Sequence, residues 1–434
     1  MPSFLAVKLA MCILCLCCKP DHERSGHIQN SVMSEKPPSI PDEFVKPLNI
    51  QPGEPVSRVL VSSPSREAPQ FRLSNRWKMI SIPAKVLGHL VSAPLRRLMT
   101  PRARASWTPS FETYVTALRS ALIDAPEDIE TSRMFADLAV PGMMLPKGVY
   151  RFKERVLVTG DHRIKCEWLW PQSLTPETRF RRLINTLPDS FLSGIKTRPI
   201  LFYVHGGAFS LCSTGSHRGL LMSLAMNLEM PVFAPNYRRP PEVSLEVTIS
   251  DVLVALDRLT AYGIDISDVV MCGDSAGGNL VIQAILELKK RRAKLPRCAV
   301  LLSPWMDLSA SGDEELAQYD YLPINRIEFF AKIAAGEGRA LNDPSVSPSY
   351  ADLSGLPPTL VHAGECEVLL SSIKKFAVTA ENQGVNIEFK IWQDMVHAFH
   401  TFFFCHDTPM AAIKDIKGFI TRNFDKDLQN ALKT

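Results

Sequence analysis

The fold of this 434-residue chain is decided by the stretch Val270-Met271-Cys272-Gly273-Asp274-Ser275-Ala276-Gly277-Gly278-Asn279. An apolar run that ends in Gly-x-Ser-x-Gly and continues with a helical pattern predicts a strand, a sharp turn and a helix. A serine at such a turn needs strained backbone angles, and the flanking glycines remove side chains that would clash there. We therefore predict that the Ser275 hydroxyl is exposed as a nucleophile; an idle serine in a glycine-rich turn is the alternative.

A second glycine-rich stretch lies about 70 residues earlier, where the apolar run Ile200–Val204 ends in His-Gly-Gly-Ala-Phe. Acyl transfer needs backbone N–H donors at one point, because negative charge grows on the carbonyl oxygen of the substrate. Small residues at a strand end allow that arrangement. The sequence does not separate donors from residues that only serve the turn, although we expect the first glycine to serve the turn. The candidate oxyanion-hole residues are Gly206, Gly207, Ala208 and Ala276.

From about residue 148, short apolar runs alternate with helix-length segments. The predicted strands are Val149–Val158, Ile164–Trp170, Ile200–Val204, Val232–Ala234, Val269–Cys272, Ala299–Leu302, Thr359–His362 and Ile387–Ile391. The predicted helices are Glu246–Tyr262, Asn279–Arg292, Ile373–Gln383 and Thr408–Asn423. This alternation indicates βαβ units and a mostly parallel sheet, in one α/β domain over residues 105–434.

The composition is that of a folded globular protein, with 46% hydrophobic and 22% charged residues, which excludes collagen-like, wholly disordered and multi-span membrane chains. A net charge of +4 is too small to indicate nucleic acid as a partner. We expect Cys166, Cys272 and Cys298 to be buried reduced thiols in strands, which favours a reducing compartment. The lack of an Asn-x-Ser/Thr acceptor site agrees with a cytoplasmic or cytosolic-face location, with the endoplasmic reticulum as the alternative.

The N-terminal segment 1–19 contains an apolar run, Leu9–Cys18, with four cysteines. Ten helical residues cover about 15 Å of a roughly 30 Å hydrocarbon core, so this run is too short to span a membrane alone. A signal peptide, a palmitoylated anchor and an untethered start remain open. A zinc site is not expected, because no second Cys/His pair follows at ligand spacing.

Two further segments precede the predicted domain. Residues 20–75 are polar and proline-rich, which predicts a linker. Residues 76–104 continue a basic, amphipathic stretch in which nine basic residues between Arg66 and Arg104 stand against the single acid Glu67. Such a stretch either lies on an anionic membrane surface or packs on the domain with its charges in solvent.

His-Gly-Gly followed by Gly-Asp-Ser-Ala-Gly-Gly resembles the hormone-sensitive-lipase-type esterases of the α/β-hydrolase fold. The resemblance extends over residues 148–423 and includes, in the family's order, Asn236-Tyr237-Arg238 with Pro241-Glu242, and Asp343-Pro344 with Ser347-Pro348 before Leu356-Pro357-Pro358-Thr359. It implies a mostly parallel sheet flanked by helices, with a helical cap from residues 105–147 and 309–345. Ala208 departs from a family pattern that often has a third glycine, so the oxyanion hole requires alanine to hold the φ angle of that position.

The resemblance also implies a catalytic triad in the chain order serine, acid, histidine. The family's acid stands three residues after the glycine at the end of a late strand, which selects Glu367, with Glu365 in reserve. Many relatives have aspartate there. The histidine is His397, directly after the last predicted strand, with His400 and His406 as nearby alternatives.

We expect a serine esterase or lipase that cleaves hydrophobic carboxylic esters, acetyl or other short acyl esters above all, and that needs neither a metal nor an organic cofactor. Lipid and steryl esters are among the expected substrates. Two alternatives remain: a non-catalytic receptor, as in the plant gibberellin receptors that resemble this family, and an amide-cleaving deacetylase. Four apolar residues are expected either to line the pocket under the cap or to belong to the core: Trp305, Met306, Phe329 and Phe330.

Overall fold

The computed structural model describes residue 88 and residues 103–123, 128–139, 148–159, 162–174 and 199–431. The predicted segments 1–19 and 20–75, and nearly all of 76–104, lie outside the described residues. No helix within the described ranges is both long enough and apolar enough to cross a membrane.

The described part of the chain contains eight strands that form one sheet. They are β1 (Val149–Thr159), β2 (His162–Pro171), β3 (Ile200–Val204), β4 (Val232–Asn236), β5 (Val269–Asp274), β6 (Cys298–Leu302), β7 (Thr359–Gly364) and β8 (Ile387–Trp392). Their order in the sheet is β1-β2-β4-β3-β5-β6-β7-β8. The two pairs that include β2, with β1 and with β4, are antiparallel, and the other five pairs are parallel. The predicted α/β class and mostly parallel sheet are confirmed.

Eight α-helices are found in the same described ranges. They are α1 (Pro109–Ile123), α2 (Ile129–Ala139), α3 (Thr214–Leu228), α4 (Leu245–Ala261), α5 (Ala276–Lys290), α6 (Ile324–Ala335), α7 (Leu370–Asn382) and α8 (Thr408–Ala431). Helices α4, α5, α7 and α8 correspond to the four predicted ones. Helices α1, α2 and α6 lie in the segments 105–147 and 309–345 that the sequence assigns to a cap.

Every residue of β3, β5 and β6 is buried, because helices cover both faces of a parallel sheet. Successive side chains point to opposite faces. Phe202, for example, packs in a core cluster with residues of α4, α5 and α7, whereas its neighbour Leu201 packs with residues of α3 and α8. The carboxyl ends of the parallel strands therefore meet at one edge, where the loops that follow β3, β5, β7 and β8 come together.

Helix α3 was not expected from the sequence. It is buried almost all round, so the alternation of polar and apolar faces that marks a surface helix is absent. Its start is fixed by Ser213, whose hydroxyl accepts hydrogen bonds from the N–H groups of Gly215 and Ser216. The prediction that Cys166, Cys272 and Cys298 are buried free thiols is confirmed.

Candidate active site

Ser275 lies at the turn between β5 and α5, with φ 52° and ψ −123°. This left-handed φ is uncommon outside glycine and costs roughly 1–3 kcal/mol, which the surrounding structure must offset. A Cβ atom on Gly273 would lie 2.5 Å from the Gly277 carbonyl oxygen, and one on Gly277 would overlap the Val204 carbonyl oxygen. The two glycines are thus required by the close approach of β5, α5 and β3, as the Gly-x-Ser-x-Gly pattern at a sharp strand-to-helix turn, the nucleophile elbow, predicts.

The loops after β7 and β8 bring Glu367 and His397 together. His397 Nδ1 lies 3.2 Å from Glu367 Oε2, and both side chains are almost fully buried. A carboxylate only accepts hydrogen bonds, so Nδ1 carries the proton and Nε2 is left as the basic nitrogen. Glu365, the reserve acid, instead accepts a hydrogen bond from the Asp394 N–H at 3.0 Å.

The two alternative histidines have other partners. His400 Nε2 lies 3.1 Å from His362 Nδ1. Burial and the neighbouring His362 hold the pKa of His400 well below its usual range, so its ring is neutral. His406 is partly buried, and its Nε2 lies 3.2 Å from the Ser106 carbonyl oxygen. Neither histidine has a contact with Glu367 among the described hydrogen bonds.

Two opposing effects set the pKa of His397. Burial alone would lower it, but the hydrogen bond and the negative charge of Glu367, together with the charges of Asp320 and Asp274, outweigh burial and leave the pKa raised. For the triad that the sequence predicts, His397 must be neutral to accept a proton. We therefore expect kcat/KM to rise with pH along a limb centred above about 6.5, the ordinary histidine value. A pH profile of ester hydrolysis measures this, and a limb centred below that value would contradict it.

Asp274, the residue before Ser275, holds the glycine-rich loop that follows β3. Its Oδ1 accepts hydrogen bonds from the Gly206 N–H at 2.9 Å and the Tyr203 hydroxyl at 2.7 Å. His217 Nε2 lies 3.1 Å from its Oδ2. The Gly206 N–H is thus engaged by Asp274, which agrees with the expectation that Gly206 serves the turn while the other three candidates donate to the oxyanion.

Gly207 and Ala208 line the same cavity as Ser275. Their φ angles are 110° and 50°, so Ala208 holds the left-handed conformation that its position requires. Ala276 is the first residue of α5, where backbone N–H groups have no partner within the helix and carry partial positive charge. These three residues remain the candidate donors.

The cavity has a volume of about 200 Å³, and its wall is mainly apolar. Ser275 and His397 lie on it, together with side chains of α1, α2 and α6. Of the four apolar residues left open by the sequence, Trp305 and Phe330 line the cavity. Met306 is buried in the core cluster, and Phe329 packs against that cluster.

One group of possible metal ligands is found in the described ranges, formed by Glu365, Cys366 and Asp394. Burial raises the pKa of the Cys366 thiol to about 12, so the thiolate that binds metals is disfavoured. Arg104 Nη1 lies 3.9 Å from Asp394 Oδ1 and supplies positive charge where a cation would sit. These donors do not fit a metal ion.

Several residues at the site were missed by sequence reasoning. The sequence assigned no role to Asp274, although its position next to Ser275 was a signal that it belongs to the site. His217 lines the cavity from α3, a helix that the sequence did not predict. Asp320 lies in the segment assigned to a cap and contacts the loops of both Glu367 and His397. No local pattern marks either of these two residues.

Comparisons with known proteins agree with this architecture. A family profile described as the alpha/beta hydrolase fold matches residues 201–401. An esterase of Acinetobacter venetianus is 32% identical over 256 residues, which are 58% of this chain and 84% of that protein. An acetyl-hydrolase of Streptomyces hygroscopicus is 33% identical over 206 residues, which are 46% of this chain and 68% of that protein.

The fold is also similar to the crystal structure of an esterase from the bacterial hormone-sensitive lipase family. The TM-score is 0.63 at 27% identity, and the match covers 73% of this chain and 98% of the other. The chain belongs to the hormone-sensitive-lipase-type esterases of the α/β-hydrolase fold. It is a carboxylic ester hydrolase.

Proposed function

We propose that this protein is a serine esterase that cleaves short acyl esters of lipophilic alcohols, with Ser275, His397 and Glu367 as its triad. One observation carries the proposal. A serine at a strained elbow and a histidine bonded to a buried glutamate open on one apolar cavity. Apolar walls with few polar groups are the usual form of a site for lipophilic small molecules.

In this mechanism the Ser275 oxygen attacks the ester carbonyl while His397 Nε2 takes its proton. Glu367 keeps the imidazole in the required tautomer and stabilises the imidazolium that forms. The N–H groups of Gly207, Ala208 and Ala276 donate to the oxyanion. The imidazolium then protonates the leaving alkoxide, and water releases the acyl group from the serine in a second cycle.

The size of the cavity supports a short acyl group. A volume of about 200 Å³ is below the roughly 300–1,000 Å³ of pockets that hold drug-sized ligands. A cavity of this size favours small acyl groups such as acetyl and butyryl over a palmitoyl chain. The helices α1, α2 and α6 form the part of the wall that we assign to a cap.

Hydrolysis of p-nitrophenyl acetate, butyrate, octanoate and palmitate tests the proposal, with and without detergent. We expect kcat/KM to be highest for the short esters and lowest for palmitate. A matched acetanilide separates ester from amide cleavage, and a fluorophosphonate probe reports whether Ser275 is nucleophilic. Palmitate as the best substrate would contradict the acyl preference. Absence of both turnover and labelling would favour a receptor.

We also propose that residues 1–104 attach the enzyme to a membrane surface and give it access to lipid esters. The support is the sequence alone: the cysteine-rich run Leu9–Cys18 and the basic stretch from Arg66 to Arg104. Deletion of residues 1–104 is expected to move the protein from the membrane to the soluble fraction of cells. Unchanged partitioning would refute this proposal. A chain with serine at positions 12, 15, 17 and 18 separates a lipid anchor from the basic stretch.

A further inference from the structure

Asp320 is a fully buried carboxylate that the proposed mechanism does not use. It lies between the short 3-10 helix Leu316–Gln318 and helix α6. Its Oδ2 accepts a hydrogen bond from the Val368 N–H at 2.8 Å, and its Oδ1 accepts one from the His397 N–H at 3.3 Å. Oδ1 also accepts the Tyr321 N–H at 2.7 Å. One carboxylate therefore joins the loop after β7 to the loop after β8.

We propose that Asp320 is a positioning residue that fixes the acid loop and the histidine loop relative to each other. Val368 directly follows Glu367, and His397 is bound through its own backbone, so both members of the acid–histidine pair are held. Displacement of a reacting group by about 1 Å can cost about 100-fold in rate, which makes such fixing valuable. This inference rests on the proposed function, because it assigns Asp320 to the triad of that proposal.

The chemistry of the bridge requires a carboxylate. Asp320 accepts on both oxygens, whereas an amide of the same shape has one accepting oxygen and one donating nitrogen. In Asp320→Asn, a nitrogen facing Val368 would meet another N–H, and a nitrogen facing His397 and Tyr321 would lose both of those bonds. One of the two loops is released in either orientation.

Asp320 also acts on His397 through its charge. Its negative charge is one of the influences that raise the pKa of His397, after burial, which lowers it, and Glu367, which raises it. Burial raises the pKa of Asp320 itself to about 6, against the opposing effect of His397 and of the bond from Val368. A carboxyl group whose pKa is higher in the folded than in the unfolded state lowers the free energy of unfolding of the protein as pH rises from the unfolded to the folded pKa. The ionised carboxylate is thus retained at neutral pH at a cost in stability, as functional sites often require.

Other titratable groups lie around Asp320 and can affect the pH dependence of the activity. Arg119 donates a hydrogen bond from Nη1 to the Asp320 carbonyl oxygen at 3.3 Å. The titratable groups that face or adjoin Asp320 are His397, Glu367, Tyr321, Cys366 and Arg119. Burial holds Tyr321 and Cys366 neutral, since it raises the pKa of both. His397, whose pKa is raised, and Asp320, whose pKa is raised to about 6, are in contact and are expected to titrate as a coupled pair.

Kinetics of the full-length Asp320→Asn enzyme test the inference. We expect kcat on p-nitrophenyl butyrate to fall about 10- to 100-fold with KM little changed. The acidic limb of kcat/KM should move to lower pH, because a negative charge near His397 is lost. Asp313→Asn is the matched control. Asp313 lies in the same segment and accepts one backbone N–H, from Ser371 at 3.1 Å, with no triad residue as that partner.

The outcomes are distinct. Wild-type rates in Asp320→Asn, or a loss of activity with an unmoved pH limb, would overturn the inference. If that variant does not fold, Asp320→Glu carries the test. It keeps the charge and both acceptor oxygens, so we expect a lower kcat with the limb in place, and a shifted limb would overturn the inference. Failure of wild type to react with a fluorophosphonate would instead refute the proposed function.

Discussion

Replacement of Ser275 by alanine is expected to reduce kcat for p-nitrophenyl butyrate by about 10⁶-fold, the size of loss that follows removal of the nucleophile from a serine triad. No other group in the proposed mechanism forms the acyl-enzyme. The strained backbone at residue 275 should tolerate alanine as well as serine, because both carry a Cβ atom. Stability is therefore expected to change little, and the loss should appear in kcat. Steady-state rates and fluorophosphonate labelling measure it.

Ser349→Ala is the matched control for that variant. Ser349 is a buried serine on the 3-10 helix Pro348–Tyr350, and its N–H donates to the Met306 carbonyl oxygen, a bond that alanine keeps. We expect near wild-type rates. If Ser275→Ala retained more than about a thousandth of the activity, Ser275 would not be the nucleophile, and the proposed mechanism would be wrong.

Replacement of Glu367 by glutamine is expected to lower kcat by about 10⁴-fold, as when the acid of a Ser-His-Asp triad becomes an amide. A glutamine nitrogen facing His397 Nδ1 would donate to it and move the ring proton to Nε2. The imidazole then has no free nitrogen to accept the serine proton. Loss of the negative charge should also shift the acidic limb of kcat/KM to lower pH, since Glu367 raises the pKa of His397.

Glu365→Gln distinguishes the two acids of this loop. Glu365 stands two residues earlier and accepts the Asp394 N–H, a bond that the glutamine oxygen preserves. Its rate is expected to stay within a few-fold of wild type. A large loss in Glu365→Gln with a small one in Glu367→Gln would reverse the assignment of the acid. The paired kinetics require only the same substrate and pH series for both proteins.

Most of the fold was predictable because each strand of the sheet can be recognised from a short local stretch of sequence. A buried parallel strand is a short apolar run, and β3, β5 and β6 were recognised in this way. Helices with one polar face, such as α4 and α7, were recognised as well. Helix α3 was not, because it is buried nearly all round and its sequence shows no polar stripe.

Only part of the candidate site was predictable from the sequence. Motifs placed Ser275, Glu367 and His397 in the chain, and the close contact of His397 with Glu367 agrees with that expectation. Asp320 had no such signal. Its hydrogen bond to the His397 N–H joins residues 77 apart in the chain, and a single aspartate outside any recognised motif gives no sequence signal. Contacts of this kind follow from the folded arrangement alone.

The cavity wall is formed by chain segments that lie far apart in the sequence. The selectivity for esters can therefore be changed separately from the reacting groups. The reacting groups are carried by loops at strand ends, whereas much of the apolar wall comes from α1, α2 and α6. A chimera that exchanges residues 109–139 with a relative would alter ester selectivity and leave the chemistry intact. An exchange of residues 309–345 would replace Asp320 as well, so it would alter the proposed link between the acid loop and the histidine loop together with the cavity wall.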